Sequence, residues 1–198
     1  QIPIRQGWGE LMRVMQALAG LAVGVFLAVA TVPAAPAAAA DKLSDKSIKV
    51  LMDWAWLTLP NKFTTPEGKV IVVDKTKKDE VIVPLDIARH IIEIARLSAH
   101  AQICQLVDKQ VENYRTLMEV EDKKKQWTDQ QMLYIHNLHT FTVQLLAGGM
   151  KVTIEEGETK IEKDSGPGAE PVECSEDQKK QVETEIDTYI ASVKKSGS

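Results

Sequence analysis

The sequence predicts a mainly helical α+β domain. It consists of an antiparallel pair of long helices with flanking N- and C-terminal helices and one or two small β-hairpins. Three observations predict this fold. Apolar residues recur at helical spacing in four segments. Short β-branched runs between those segments predict strands. The first forty residues are set apart by an uncharged apolar run, so the domain is expected to begin after them.

Residues 1–40 have the composition of a secretory signal peptide. Arg5 and Arg13 form a basic start, the 19 residues 14–32 carry no charge, and small residues lead to Ala40. This order predicts export to the periplasm or outside the cell, with cleavage near Ala40. An uncleaved membrane anchor is the alternative, because 19 apolar residues are just enough to span a bilayer. The Ala/Gly-rich run and the lack of a following Lys/Arg cluster favour cleavage.

The charge balance bears on the class of partner. The 158 residues after the leader suffice for one domain with a proper core. They hold 22 basic and 27 acidic residues, a net charge of −5. Phosphate binding needs a basic surface, so the composition argues against nucleic acid as a partner. After cleavage of the leader, the sequence predicts no membrane partner either.

The first helix is predicted over residues 45–59, where apolar side chains recur at helical spacing. Ser44 is suited to the N-cap, and Pro60 ends the segment. Two β-branched runs follow, KVIVVDK at 69–75 and EVIVP at 80–84. Because they flank the turn-like TKKD, a hairpin between these two runs is expected.

Two long helices come next. One helical stretch opens at Pro84 and runs to about Met118. After a short polar connection, Thr128 and Gln131 have the spacing of a capping box, which predicts the start of the second long helix. That helix is expected to end at Gly148, since glycine favours helix C-termini. The short connection predicts that the two helices pack antiparallel.

A second hairpin and a terminal helix complete the chain. MKVTIEEGETKIEKD alternates about Gly157 and predicts two strands. Ser175 with Gln178 repeats the capping-box spacing, and apolar residues then follow at helical spacing. The predicted division is a signal peptide at 1–40, a helical core with two hairpins at 41–162, a polar linker at 163–174, and an amphipathic helix at 175–198 that packs on the core.

The two cysteines predict a disulfide. An exported protein with two cysteines usually oxidises them, and Cys104 lies in the first long helix while Cys174 directly precedes the last one. A bridge would attach the C-terminal helix to the helical pair. Two free thiols in a reducing compartment are the alternative.

Three of the four histidines and one cysteine lie in HAQIC at 100–104 and HNLH at 136–139, which raises the question of a metal site. A helix advances about 100° per residue, which places His139 within the apolar arc of its helix and His100 on a polar strip. We therefore interpret His139 and His90 as packed histidines with a hydrogen bond each. The alternative is a metal or haem site formed by His90, His136 and His139 in the helical core. No cofactor is predicted.

The sequence contains no standard catalytic signature, so it gives no argument for an enzyme. It lacks G-x-S-x-G, H-E-x-x-H, the P-loop and dinucleotide motifs, C-x-x-C and C-x-x-C-H.

The helix after Pro84 suggests a function through contact. Apolar or small residues cover about 270° of its circumference, so it must be covered on several sides, either within the domain or with the help of a partner or a second copy. On this basis the sequence predicts an exported structural or protein-interaction domain, with a protein partner or a homo-oligomer as the expected contact. The alternative is a small-ligand or metal-binding protein that uses the core histidines. The candidate interaction surface consists of Trp54, Trp56, Arg89, Arg96 and His100.

Overall fold

Ser44 starts the first helix, as predicted. Its hydroxyl accepts a hydrogen bond from the backbone N–H of Ser47 at 3.1 Å, and helix α1 covers Asp45–Thr58. The structure, a computed structural model, describes residues 43–155, 158–163 and 173–196. The predicted signal peptide and its cleavage site lie outside these residues.

The first hairpin exists, but the predicted pairing of its strands is wrong. β1 (Lys62–Thr64) pairs antiparallel with β2 (Val70–Val72), whereas residues 80–84 form no strand. The turn between the strands decides the pairing. It contains Pro66 and Gly68, whose φ of 84° suits glycine, and it is closed by a 2.8 Å hydrogen bond from Thr65 N–H to the Lys69 carbonyl.

TKKD is the start of a helix rather than a hairpin turn. One Asp74 carboxylate oxygen accepts hydrogen bonds from the backbone N–H and hydroxyl of Thr76 at 3.0 and 2.7 Å. The chain then enters the single-turn helix α2 (Lys78–Val81). Residues 82–84 form an extended connection to the next helix.

The predicted long helix from Pro84 to Met118 is two helices. α3 covers Leu85–Ile103 and α4 covers Val107–Lys123. Between them Gln105 adopts a left-handed φ of 61°, and Leu106 N–H donates to the Ala101 carbonyl at 2.8 Å. This is the hydrogen bond of a Schellman helix end, with glutamine where glycine is usual. α4 therefore folds back against α3.

The remaining elements agree with the sequence. α5 covers Asp129–Leu146 and begins with the predicted capping box. β3 (Met150–Glu155) pairs antiparallel with β4 (Glu158–Lys163); the predicted turn at Gly157 and most of the polar linker lie outside the described residues. α6 covers Glu176–Ser196, and Ser175 and Gln178 make the reciprocal capping bonds at 2.8 and 3.2 Å. The mainly helical α+β fold is confirmed.

The core is organised around α3. All the described elements belong to one compact unit, Lys42–Ser198, in which α3 packs against α1, α4, α5 and α6. The apolar surface of α3 is therefore covered within the chain. Within the described ranges, no helix is long and apolar enough to cross a membrane. The buried residues of α3 are Ala88, Ile91, Ile92, Ile94, Ala95, Ser98, Ala99 and Ala101.

The predicted disulfide is present. Cys104 and Cys174 are bonded, with their Cα atoms 5.1 Å apart. Cys104 is the C-cap of α3, so the bridge joins that helix end to the residues immediately before α6. Beside it, the apolar face of α6 packs on the α3–α4 turn through Val182, Ile186 and Ile190.

Candidate functional site

A polar cluster lies inside the helical core, where α3, α4 and α5 meet. Asn113 Nδ2 donates to the Ile94 carbonyl at 2.9 Å and to Ser98 Oγ at 2.8 Å. Ser98 Oγ also lies 3.0 Å from His139 Nε2. All three side chains are buried, so the Ser98–His139 pair is enclosed and gives no access to a substrate.

The hydrogen bonds and burial of His139 bear on its protonation. The Ile94 carbonyl can only accept, which orients the Asn113 amide. Ser98 Oγ accepts from that amide and is also hydrogen-bonded to His139 Nε2. Burial, with a smaller contribution from the charge of His136, lowers the pKa of His139 to about 4, so the ring is neutral at pH 7.

His136 lies at the edge of this cluster and has its own partner. Its Nδ1 is 2.7 Å from the hydroxyl of Tyr114. Burial raises the pKa of Tyr114 and lowers the pKa of His136, so the bond joins a neutral phenol to a neutral imidazole. The Tyr114 ring also contacts the His139 ring, with centroids 5.1 Å apart.

The structure does not bring together the three histidines of the alternative metal site. His90 packs against Tyr189 of α6, with ring centroids 6.1 Å apart, while His136 and His139 contact Tyr114. In each of those two rings, one nitrogen is already hydrogen-bonded to a hydroxyl, His139 Nε2 to Ser98 and His136 Nδ1 to Tyr114. In the part of the chain that the structure describes, no three His, Cys, Asp or Glu side chains are grouped to hold a metal ion.

Two residues of the predicted interaction surface, Trp56 and Arg89, make contacts within the domain. Trp56 is buried, and Lys75 lies over its ring at 4.3 Å while donating to its carbonyl at 2.7 Å. Arg89 donates to the Leu43 carbonyl and to Asp45 at the start of α1. Trp54 and Arg96 are half-buried, and His100 is exposed.

A cleft that the sequence did not indicate lies between α1, the α2–α3 connection and the start of α5. Its volume is about 630 Å³. Charged Lys49, Asp53 and Asp79 line it, with Gln131. The β-branched run at 80–84 resembled a strand, so sequence reasoning gave these residues no surface role. The apolar side chains lining the cleft are those of Met52, Ile82, Val83, Pro84, Leu85 and Trp127.

The α2–α3 connection, residues 82–84, forms one wall of this cleft. Ile82 has a ψ of 152° and Pro84 a ψ of 154°. Ile82 N–H donates back to Lys78 of α2, and the Pro84 carbonyl accepts from Ala88 of α3. Val83 lies between them and is buried, so its backbone N–H and carbonyl are not accessible from the cleft. The connection therefore contributes apolar side chains to the cleft rather than backbone hydrogen-bonding groups.

Comparison of the chain with protein-family models, with curated proteins and with solved structures gives no match.

Proposed function

We propose that this protein is an exported protein-interaction domain that binds an extended segment of a partner protein in the cleft. The observation that carries the proposal is the cleft itself, in which an apolar wall stands beside the charged side chains of Lys49, Asp53 and Asp79. An extended peptide can place alternate side chains against such a wall while the side chains between them meet the charged groups.

The size and lining of the cleft support a bound segment. A volume of about 630 Å³ falls within the range of roughly 300–1,000 Å³ that is typical of ligand sites. Trp127 offers a flat aromatic face of the kind enriched in binding hot spots. Lys49 and Asp79 line the same cleft, so a segment with charged side chains at matching positions gains complementarity.

Two features support export. The apolar leader has the order of a signal peptide, and the Cys104–Cys174 bridge is of a kind that persists in oxidising compartments. Binding rather than catalysis is favoured because the Ser98–His139 pair is enclosed in the core.

The proposal is tested by selecting peptides from a random library displayed on phage against the oxidised protein. We expect enriched peptides with apolar residues at alternate positions, since alternate side chains of an extended peptide face the same wall. Their affinity is then measured by fluorescence anisotropy for the wild type and for Ile82→Asp, which places a charge in the apolar wall. We expect Ile82→Asp to weaken binding at least tenfold.

Val70→Asp provides the matched control. Val70 is another β-branched residue, 50% exposed on the outer face of the first hairpin, and it does not line the cleft. This variant should bind within twofold of the wild type. The proposal fails if no peptide is enriched, or if Ile82→Asp, shown by circular dichroism to be folded, binds as well as the wild type.

A further inference from the structure

The first hairpin has an unpaired edge. In the part of the chain that the structure describes, β2 pairs with β1 and with no other strand. Val73 N–H, next to β2, donates to the Asn61 carbonyl at 2.9 Å. Because hydrogen-bonded pairs alternate along an antiparallel ladder, the backbone N–H and carbonyl groups of Val70 and Val72 point away from β1. These groups form the free edge of β2.

The free edge of β2 is accessible and apolar. Val70 is 50% exposed and Val72 is 63% exposed, while Ile71 between them packs on the core. Proteins usually block such an edge with a charged side chain, often lysine. Lys69 directly precedes Val70, but its ammonium is bonded to Asp129 of α5 at 2.7 Å. The nearest lysine in the chain is therefore engaged with α5 rather than with the edge.

We propose that the free edge of β2 binds the same edge of a second copy of this chain, so that the two hairpins form one four-stranded antiparallel sheet. An unpaired edge binds another extended strand through main-chain hydrogen bonds. The sequence of β2, Val-Ile-Val, reads the same in both directions. Antiparallel pairing about a two-fold axis at Ile71 therefore places Val70 of each copy opposite Val72 of the other. Each of these pairs exchanges two backbone hydrogen bonds, and its side chains meet on the outer face of the hairpin.

The charges beside the edge are compatible with this pairing, and its length sets its strength. The same register brings Glu67, exposed in the hairpin turn, towards Lys75 of the second copy, and opposite charges across paired strands are favourable. Three paired residues bury far less than the roughly 1,200 Å² of a stable complex. The dimer is therefore transient and dissociates on dilution.

Amide hydrogen exchange at the edge tests the pairing directly. In the monomer the N–H groups of Val70 and Val72 point to solvent, whereas in the dimer they donate to the second copy. The N–H of Ile71 faces β1 in both states. Exchange at these three amides is measured by NMR in the oxidised protein at micromolar and at millimolar concentration. We expect exchange at Val70 and Val72 to slow at least fivefold at the higher concentration, with Ile71 unchanged.

Sedimentation velocity over the same concentrations measures dimerisation itself. Val72→Lys places a charge at the edge and should weaken the dimer at least tenfold, because edge lysines oppose strand pairing. Val107→Lys is the matched control. Val107 is also 63% exposed, but it lies at the start of α4, so this variant should dimerise like the wild type. Circular dichroism verifies that both variants are folded.

A protein that stays monomeric at millimolar concentration would overturn the proposal. A dimer that Val72→Lys leaves intact, or in which the Val70 and Val72 amides exchange as fast as in the monomer, would also overturn it. Protection of these amides by a peptide, in a protein that remains monomeric, would assign the edge to a peptide and exclude pairing with a second copy. Val70 and Val72 do not line the cleft, so these outcomes are distinguishable from failure of the proposed function.

Discussion

At the residue scale, the core histidines have structural partners. His139 is neutral because burial, and to a smaller extent the charge of His136, lowers its pKa; its Nε2 is hydrogen-bonded to the Ser98 hydroxyl. His136 Nδ1 is likewise hydrogen-bonded to the Tyr114 hydroxyl. Each hydroxyl comes from a different helix, α3 or α4, than the histidine that it contacts. These polar contacts define how α3, α4 and α5 meet, because a displaced helix would leave buried polar atoms without partners.

The state of His139 makes stability depend on pH. The pKa of His139 is lowered from 6.5 to about 4 in the folded chain, so the unfolded chain binds the proton more readily between these values. The stabilisation is complete above pH 6.5 and decreases as the pH falls towards 4. Between pH 7.5 and 4.5 we expect this residue to reduce the free energy of unfolding by roughly 2.5 kcal/mol.

Urea unfolding of the wild type and of His139→Gln at the two pH values measures this contribution. The variant should be less stable at pH 7.5 but should lose less stability on acidification. His100 is exposed, so His100→Gln is the control and should follow the wild type. Parallel pH dependences for the wild type and His139→Gln would contradict the assignment.

At the element scale, two helix ends have the same geometry but different residues. α5 ends with Gly148 at a φ of 78°, followed by a 2.7 Å bond from Gly149 N–H to the Gln144 carbonyl. α3 ends with Gln105 at a φ of 61° and the equivalent bond from Leu106. A residue with a side chain is strained in this conformation, by roughly 1–2 kcal/mol.

Replacing Gln105 by glycine should therefore stabilise the protein. The relief of strain exceeds the larger entropy that glycine loses on folding, leaving a gain of roughly 0.5–1 kcal/mol in the free energy of unfolding. Glu93→Gly is the control, because Glu93 is exposed within α3 and glycine there should destabilise by about 1 kcal/mol. The free energies of unfolding are measured in urea. A loss of stability in Gln105→Gly as well as in Glu93→Gly would argue against the left-handed conformation of Gln105.

At the scale of the whole molecule, the disulfide and a small apolar cluster hold α6 on the body. Cys104 and Cys174 are separated by 70 residues along the chain, so the bridge removes many conformations from the unfolded chain. Val182, Ile186 and Ile190 supply the packing beside it. Most of the rest of α6 is solvent-exposed.

Removing the bridge should therefore weaken the protein as a whole and α6 in particular. For Cys104→Ala with Cys174→Ala we expect a loss of up to about 4 kcal/mol, the chain-entropy value for a loop of this length. Thermal unfolding with and without reductant checks this expectation: reductant should lower the Tm of the wild type but leave the double variant unchanged. An unaltered wild-type Tm under full reduction, verified by alkylation, would contradict it.

The elements that the sequence determined by itself are those with local signals. Thr128 and Gln131 cap each other across one helical turn, as do Ser175 and Gln178, so the starts of α5 and α6 are readable from four residues each. Gly148 marks the end of α5 because glycine is the residue that left-handed backbone favours. The disulfide was predicted because the chain has two cysteines and the leader predicts export to an oxidising compartment.

Tertiary structure alone decided the features that carry the proposed function. Gln105 adopts a glycine-like conformation where α4 folds back on α3, and no local signal marks that break. The turn Thr65-Pro66-Glu67-Gly68 pairs β2 with β1. The β-branched runs in the sequence had predicted that β2 pairs with residues 80–84. The cleft lined by Met52, Ile82 and Trp127 depends on contacts between segments that are distant along the chain. Hydrophobic periodicity predicts which face of a helix is buried, but it does not predict which residues of other elements pack against that face. The cleft was not predicted because it is formed by such contacts.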